Sequence, residues 1–244
     1  MRRNNMLTVL ESTGSVLDCA WKMVADSGLS VFDAVLSYEQ TAGRGQYGRS
    51  WISPRGNVYA AVRLPSVAPF DNMEAALALS CCIAATLSDF GFDTKIKWTN
   101  DLVIDGGKVA GILLEQKGDK LIAGFGINVM SCPDSGVLRQ DAALPATCLY
   151  NINPQAAANL TPETIVENLV GRLKTLDLRK FAGSWRTEAL SRLLWLHEAV
   201  CLDVDGISIH GVLAGIDEHG GLMLATPEGI VSHMRGTLRK GLTE

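Results

Sequence analysis

Apolar residues first recur at helical spacing between Ser15 and Asp26, where Val16, Leu17, Ala20, Trp21, Met23 and Val24 gather and Gly28 marks a stop. Asp33 to Gln40 and Asn57 to Leu64 read as strands. Asp71, with Glu74 three residues on, has the pattern of a capping box. It predicts a helix through the Ala-rich stretch to Asp89, with Gly91 past its end. Short strands follow at Thr94–Trp98, Leu102–Ile104, Lys108–Gln116 and Leu121–Val129, with turns at Asp105-Gly106-Gly107 and Lys117-Gly118-Asp119. Ser131 to Leu160 lacks a period and reads as a long loop. Thr161 and Pro162 are a cap and a first helical residue, opening a helix to about Leu176. A second helix follows around Phe181 to Leu190.

From Glu198 the helical period disappears. Four short strands (VCLDV, ISIHGVLAGI, LMLAT, IVSHM) alternate with the tight turns Asp205-Gly206, Gly220-Gly221 and Glu228-Gly229. This spacing suits a small barrel. The domain boundary is placed near Leu196, dividing residues 1–196 from 197–244.

Composition narrows the classes. Of 244 residues, 47% are hydrophobic and 20% charged, which excludes a disordered chain. The most apolar stretch, Ala75 to Leu87, is shorter than the roughly 20 residues of a membrane span and contains Ser80 and Thr86. No secretory leader is visible. The net charge of −4 argues against a duplex nucleic-acid binder. Six scattered cysteines without a Cys-x-x-Cys pair predict free thiols in a reducing, cytoplasmic compartment.

Four clusters carry chemistry. Gly43-Arg44-Gly45-Gln46-Tyr47-Gly48 matches a dinucleotide fingerprint in form, but Pro54 and Gly56 oppose the helix that this fingerprint requires. The loop still offers close backbone approach and, in Arg44 and Arg49, two forked cations suited to carboxylate or phosphate. A surface loop with incidental arginines is the plainer alternative. Lys97-Trp98-Thr99-Asn100-Asp101 leads a strand into a polar turn that serves either a ligand or only itself. Lys108 opens an apolar strand, facing an anion or guarding a sheet edge. Gly124-Phe125-Gly126-Ile127-Asn128 suggests close backbone approach or a bulge. The four histidines, all after Leu196, read as surface or turn residues.

Together these clusters resemble the biotin protein ligase family. The family's GRGRxGRxW loop corresponds to Gly43 through Trp51, its KWPND segment to Lys97 through Asp101, its KxxGIL strand to Lys108 through Leu113, and its GIGIN strand to Gly124 through Asn128. Ser12-Thr13-Gly14 stands at the family's Ser-Thr-Asn opening. The order is shared from about Ser12 to Leu238.

The resemblance implies an α+β fold: a mixed sheet flanked by helices, as in class II synthetase-like ligases, followed by a small C-terminal SH3-like β-barrel. It implies ATP-dependent activation of biotin to biotinyl-5′-AMP and transfer to a lysine of a biotin carboxyl carrier domain. By the match, Lys108, Arg44 and Arg49 act in catalysis. Ser12, Thr13, Gln40, Gly43, Arg44, Lys108 and Gly111 serve biotin. Arg49, Trp51, Asn100, Asp101 and Asn128 serve the nucleotide, with Trp51 on the adenine and Mg²⁺ on the triphosphate. Metal ligands are not identified. The short stretch before Ser12 implies the single-function type without DNA binding. Members of the family are monomers or homodimers joined through sheet edges. Lipoate or octanoate ligation, which shares the fold, and a catalytically weakened biotin-binding module are the competing readings.

Three positions depart from the family pattern. Gly14 replaces an asparagine, Thr99 a proline, and Gln46 a third loop arginine. Loss of that cation implies weaker retention of the adenylate and less selective lysine labelling. Gln46→Arg is therefore expected to slow adenylate release; an unchanged off-rate for biotinyl-AMP removes the idea.

Overall fold

The computed structural model describes residues 2–3, 6–72, 74–133 and 144–241. Its main sheet comprises β1 (Arg2–Arg3), β2 (Leu7–Leu10), β3 (Ala34–Ser37), β4 (Val58–Leu64), β5 (Lys95–Lys97), β6 (Asp101–Ile104), β7 (Gly107–Lys117) and β8 (Lys120–Ile127). Their spatial order is β1-β2-β3-β4-β8-β7-β6-β5. Strands β2 and β3 are parallel and all other neighbours antiparallel, so the sheet is mixed. The helices are α1 (Val16–Ala25), α2 (Ala75–Asp89), α3 (Leu149–Ile152), α4 (Pro154–Ala157), α5 (Pro162–Thr175) and α6 (Leu178–Arg192). A second, antiparallel sheet holds β9 (Ala199–Val204), β10 (Ile207–Ile216), β11 (Leu222–Thr226), β12 (Gly229–His233) and β13 (Thr237–Lys240), in the order β12-β11-β10-β9-β13.

The two-residue period of a strand sorts β4 between two cores. Tyr59 and Ala61 join Val16, Leu17, Ala20 and Val24 of α1. Val58, Ala60 and Val62 point the other way, into the large core under α2, α5 and α6. Burial on both faces makes β4 apolar except for Arg63 near its end, as expected of a central strand. Helix α1 packs mainly against β3, β4 and β8. Among the described residues, the same face over the Gly111 end of β7, β6 and β5 carries no helix.

Several expectations change. Leu7–Leu10 is a strand that four apolar-rich residues do not announce alone; it is fixed by parallel pairing of Leu7 with Ala34 through Leu10 with Ser37. Asp71 does not cap α2. The Ala75 N–H is satisfied by the Asn72 carbonyl at 3.1 Å, and Glu74 makes no side-chain cap. The loop from Ser131 to Leu160 contains the short helices α3 and α4, with Asn153 accepting from the Ala156 N–H; its residues 134–143 lie outside the described ones. The C-terminal segment has five strands instead of four, because β13 pairs Leu238 with Leu202 of β9. The caps at Thr161 and, unforeseen, at Asp177 start α5 and α6.

The two sheets share one core, in which Val200, Leu202, Leu213 and Leu238 join α2, α5 and α6. Trp98 Nε1 donates to the Gly220 carbonyl at 2.9 Å, a buried bond between the end of β5 and the turn before β11. Beyond β5, Leu194 N donates to the Ile96 carbonyl, so residues after α6 cover that sheet edge.

Asn57 fixes the far end of β8. Its Oδ1 accepts from the backbone N–H groups of Val129, Met130 and Ser131 at 2.8, 2.9 and 3.2 Å. Its Nδ2 donates to the Ser131 carbonyl at 3.0 Å, and the residue is buried. Asn57→Ala strands several buried donors and is expected to lower stability by about 3 kcal/mol. Urea unfolding at unchanged m-value checks this; a loss under about 1 kcal/mol would show that water substitutes for the amide.

Candidate active site

The uncovered face of the main sheet forms a cleft of about 800 Å³. Its floor follows from strand register. One row across the sheet reads Tyr59, Gly126, Gly111, Asp101 and Lys97 on β4, β8, β7, β6 and β5. Paired residues share a face, so two adjacent glycines are followed by a carboxylate and then an ammonium.

The glycines are required by Trp51. A β-carbon on Gly126 would lie 2.5 Å from the indole Nε1, and one on Gly111 3.1 Å from Cζ3. The indole thus lies on bare backbone, with its Nε1 buried and unpartnered among the described residues. Trp51 is placed there by a small hairpin. Its N–H donates to the Gly43 carbonyl at 2.8 Å, Arg44 bridges Ser50, and Gly45 N donates to the Arg49 carbonyl at 2.7 Å. Gly43 is excluded from carrying a side chain by the Trp51 carbonyl, 2.5 Å from its would-be β-carbon. A turn of 3₁₀ helix at Gln46–Gly48 forms the tip, with Tyr47 at φ 57°. This short helix does not continue, so the dinucleotide fingerprint lacks its helix.

Lys108 stands at the centre. Its Nζ is 2.6 Å from Asp101 Oδ1 and 5.3 Å from the Trp51 ring centroid. Backbone bonds to the Pro145 carbonyl (2.7 Å) and from Thr147 N (2.9 Å) hold its strand position. Arg49 lines the cleft with its guanidinium 5.4 Å from the Tyr47 ring and without an ion-pair partner among the described residues.

Arg44 is held differently. It grips Asp18 with two nitrogens, at 2.8 and 2.9 Å, and reaches Glu115 at 3.1 Å. This forked contact pulls Asp18 below the usual carboxylate range. Trp21 Nε1 donates to the same Glu115 at 2.7 Å. Arg44 thus ties the hairpin to α1 and β7, with its charge already compensated.

The polar candidates are also tied. Gln40 accepts from Val16 N at 2.9 Å, capping α1, and donates to Ser53 Oγ at 3.1 Å. Asn100 Nδ2 donates to the Ile112 carbonyl at 2.6 Å, and Asn128 Nδ2 to that of Thr147 at 3.0 Å. The Trp98–Thr99 peptide before Asn100 is cis. The structure thus brings Gln40, Arg44, Arg49, Trp51, Asn100, Asp101, Lys108, Gly111 and Asn128 to one cleft. Ser12, Thr13 and Gly43 lie outside its lining: Ser12 is exposed, and Thr13 contacts Cys19 Sγ at 2.9 Å.

Sequence reasoning assigned no role to Lys97, which is 5% exposed in the cleft wall. Alternation within Lys95-Ile96-Lys97 places it opposite the core residue Ile96, a usable signal. Nor did it anticipate Asp203, Thr237 and Arg239, which bring the second sheet to the cleft. Burial lowers the Lys97 pKa, opposed by Asp101 and reinforced by Lys108, Arg239 and Arg49. Among the described residues, no group of three His, Cys, Asp or Glu could hold a metal ion.

Comparison with known proteins agrees with this geometry. Residues 11–130 match the Biotin/lipoate A/B protein ligase family. A biotin--[acetyl-CoA-carboxylase] ligase of Paracoccus denitrificans is 32% identical over 226 residues, spanning 83% of this chain and 88% of that protein. Its Mycobacterium tuberculosis counterpart is 29% identical over 233 residues, spanning 83% and 85%. The biotin protein ligase of Aquifex aeolicus, solved in complex with biotin and ATP, superposes with a TM-score of 0.81 at 28% identity, covering 98% of this chain and 100% of that one. The glycine-floored cleft and its lysine–aspartate pair thus sit in a chain that belongs to the biotin protein ligase family.

Proposed function

We propose that this chain activates biotin with ATP and transfers it to a lysine of a biotin carboxyl carrier domain. The observation that carries the reading is the Lys108–Asp101 pair, standing beside the Gly111–Gly126 floor in the middle of the cleft. Biotin enters from the α1 side, where Gln40 and the start of α1 border the cleft. A biotin carboxylate oxygen attacks the α-phosphorus of ATP. The bond to the bridging oxygen breaks, and its electron pair leaves with pyrophosphate. Two anions must approach, so fixed cations lower the barrier. Lys108, aimed by Asp101, bridges carboxylate and α-phosphate, and Arg49 adds a second charge. Trp51, held flat by the glycines, packs on the adenine. Arg44 positions the hairpin.

In the second step the carrier lysine attacks the carbonyl of the mixed anhydride and AMP leaves. Mg²⁺ bound to the triphosphate would neutralise part of its charge. The carboxylates of the cleft lining among the described residues are Asp101 and Asp203, which suits an ion carried mainly by phosphate oxygens and water. Residues 1–196 form the ligase unit, and 197–244 a barrel that closes one end of the cleft. No described helix is long and apolar enough to cross a membrane, and all six cysteines are free. Both suit a cytoplasmic enzyme.

Mass spectrometry with Mg²⁺-ATP and, separately, biotin, lipoate or octanoate tests the reading. Adenylation of biotin alone supports it, and adenylation of none removes it. Lys108→Gln is expected to slow adenylation by on the order of 10²–10³, measured as pyrophosphate release. Gly126→Ala is expected to lift the Trp51 indole and raise the KM for ATP by about tenfold, the loss of roughly one good contact. Gly183→Ala, in α6 outside the cleft lining and with nothing within 4 Å of its would-be β-carbon, is the control and leaves KM unchanged.

A further inference from the structure

The second sheet turns one face to the shared core and the other to the cleft. Val200 and Leu202 of β9 are buried in that core, so strand alternation turns Cys201 and Asp203 the other way. Asp203 lines the cleft, as do its register partner Thr237 and, two residues further along β13, Arg239. Arg239 stands opposite Cys201 on one side, and His210 stands opposite it on the other. One row across β13, β9 and β10 therefore reads guanidinium, thiol, imidazole, where the cleft gives way to solvent. Cys201 Sγ lies 3.9 Å from His210 Nε2, with Cys201 half-buried and His210 exposed. The ligase mechanism uses neither residue.

The cysteines of this chain are not equivalent. Cys81, Cys82 and Cys148 are buried, and burial pushes the thiols of the first two well above the ordinary range. Cys19 Sγ lies 2.9 Å from Thr13 Oγ1, and Cys132 Sγ lies 4.0 Å from Asn151 Nδ2; neither a hydroxyl nor an amide is a base. Cys201 has an imidazole nitrogen in reach. A thiol attacks through its deprotonated sulfur, so a neighbouring proton acceptor governs how fast it reacts. Arg239 adds positive charge at the same rim, which draws in an anionic reagent.

We propose that Cys201, with His210 as its proton acceptor and Arg239 beside it, is a thiol–disulfide exchange site for small carboxylate-bearing disulfides, and that the adduct closes this rim of the cleft to the acceptor domain. His210 Nε2 takes the thiol proton as the sulfur attacks one sulfur of the disulfide. The S–S bond breaks, and its electron pair leaves with the other half as a thiolate, which then takes up a proton. The protein thiol is oxidised and the departing half is reduced; attack by a second small thiol reverses the exchange. Biotin and ATP are small enough to pass an adduct at the rim. The acceptor lysine arrives on a folded domain, whose bulk has to rest there. Closure of the rim rests on the ligase reading, whereas the exchange chemistry does not.

Incubation of the full chain with oxidised glutathione, followed by peptide mass mapping, tests the exchange. Cys201 is expected to form the mixed disulfide at least about tenfold faster than Cys19 or Cys132, and His210→Gln to slow Cys201 by about the same factor. Arg239→Gln is expected to erase the preference for oxidised glutathione over the neutral bis(2-hydroxyethyl) disulfide. In the first turnover the modified chain is expected to release pyrophosphate from biotin and ATP at the unmodified rate, yet to transfer biotin to a carrier domain at least about tenfold more slowly. A reductant restores transfer, and Cys201→Ser, treated in the same way, transfers at the untreated rate. Even reaction of Cys19, Cys132 and Cys201 overturns the proposal. So does an unchanged modification rate in His210→Gln, or unchanged transfer by the modified chain. Failure of the ligase reading shows separately, as no pyrophosphate from untreated wild type while Cys201 is still selectively modified.

Discussion

Two facing glycines set the terms for this molecule. Gly111 and Gly126 lie opposite each other in adjacent antiparallel strands, and no side chain rises from the sheet at that point. A tryptophan from a distant hairpin lies there instead, and the lysine of the same strand reaches across its ring. Everything that shapes the cleft serves this spot. Helix α1 stops short of it, the Gly43–Trp51 hairpin reaches over it, and the second sheet closes the far end. An ordinary β-carbon at Gly126 would stand where the indole lies, and one at Gly111 would crowd it.

Charge is distributed along the cleft by the same geometry. Arg44 spends its guanidinium on Asp18 and Glu115, so it contributes tension to the hairpin more than field to the centre. Lys108 is aimed by Asp101, and Lys97 sits buried beyond it. A fold selected only for stability would not keep that second ammonium out of water. It shares one end of the cleft with Arg49, while the α1 end is bordered by a capping glutamine and apolar side chains.

Much of this was legible in the chain and some was not, for identifiable reasons. The helices α1, α5 and α6 and the central strands have periods long enough to read. The loop, the Lys97–Asp101 segment and the Lys108 strand declare their chemistry by residue type. What escaped depends on distant partners. Leu7–Leu10 becomes a strand only beside β3, and Thr237–Lys240 only beside β9. Asp71 has the residue type of a cap, yet a backbone carbonyl takes its place. Lys97 gains meaning from register, since its neighbours in the row come from β6, β7 and β8. Gln40, Asn100 and Asn128 were legible as polar groups at a site; that each also holds backbone was not, because the partners lie 12 or more residues away.

The indole resting on the glycine pair has a consequence for how such a site changes over generations. Gly126 cannot gain even a methyl group while Trp51 stays, one on Gly111 would push the indole or Lys108 aside by a few tenths of an ångström, and Trp51 cannot shrink without opening a hole above both. The three positions therefore behave as one inherited unit. A lineage that lost the tryptophan first would free both positions, whereas a β-carbon gained first at Gly126 would meet the indole.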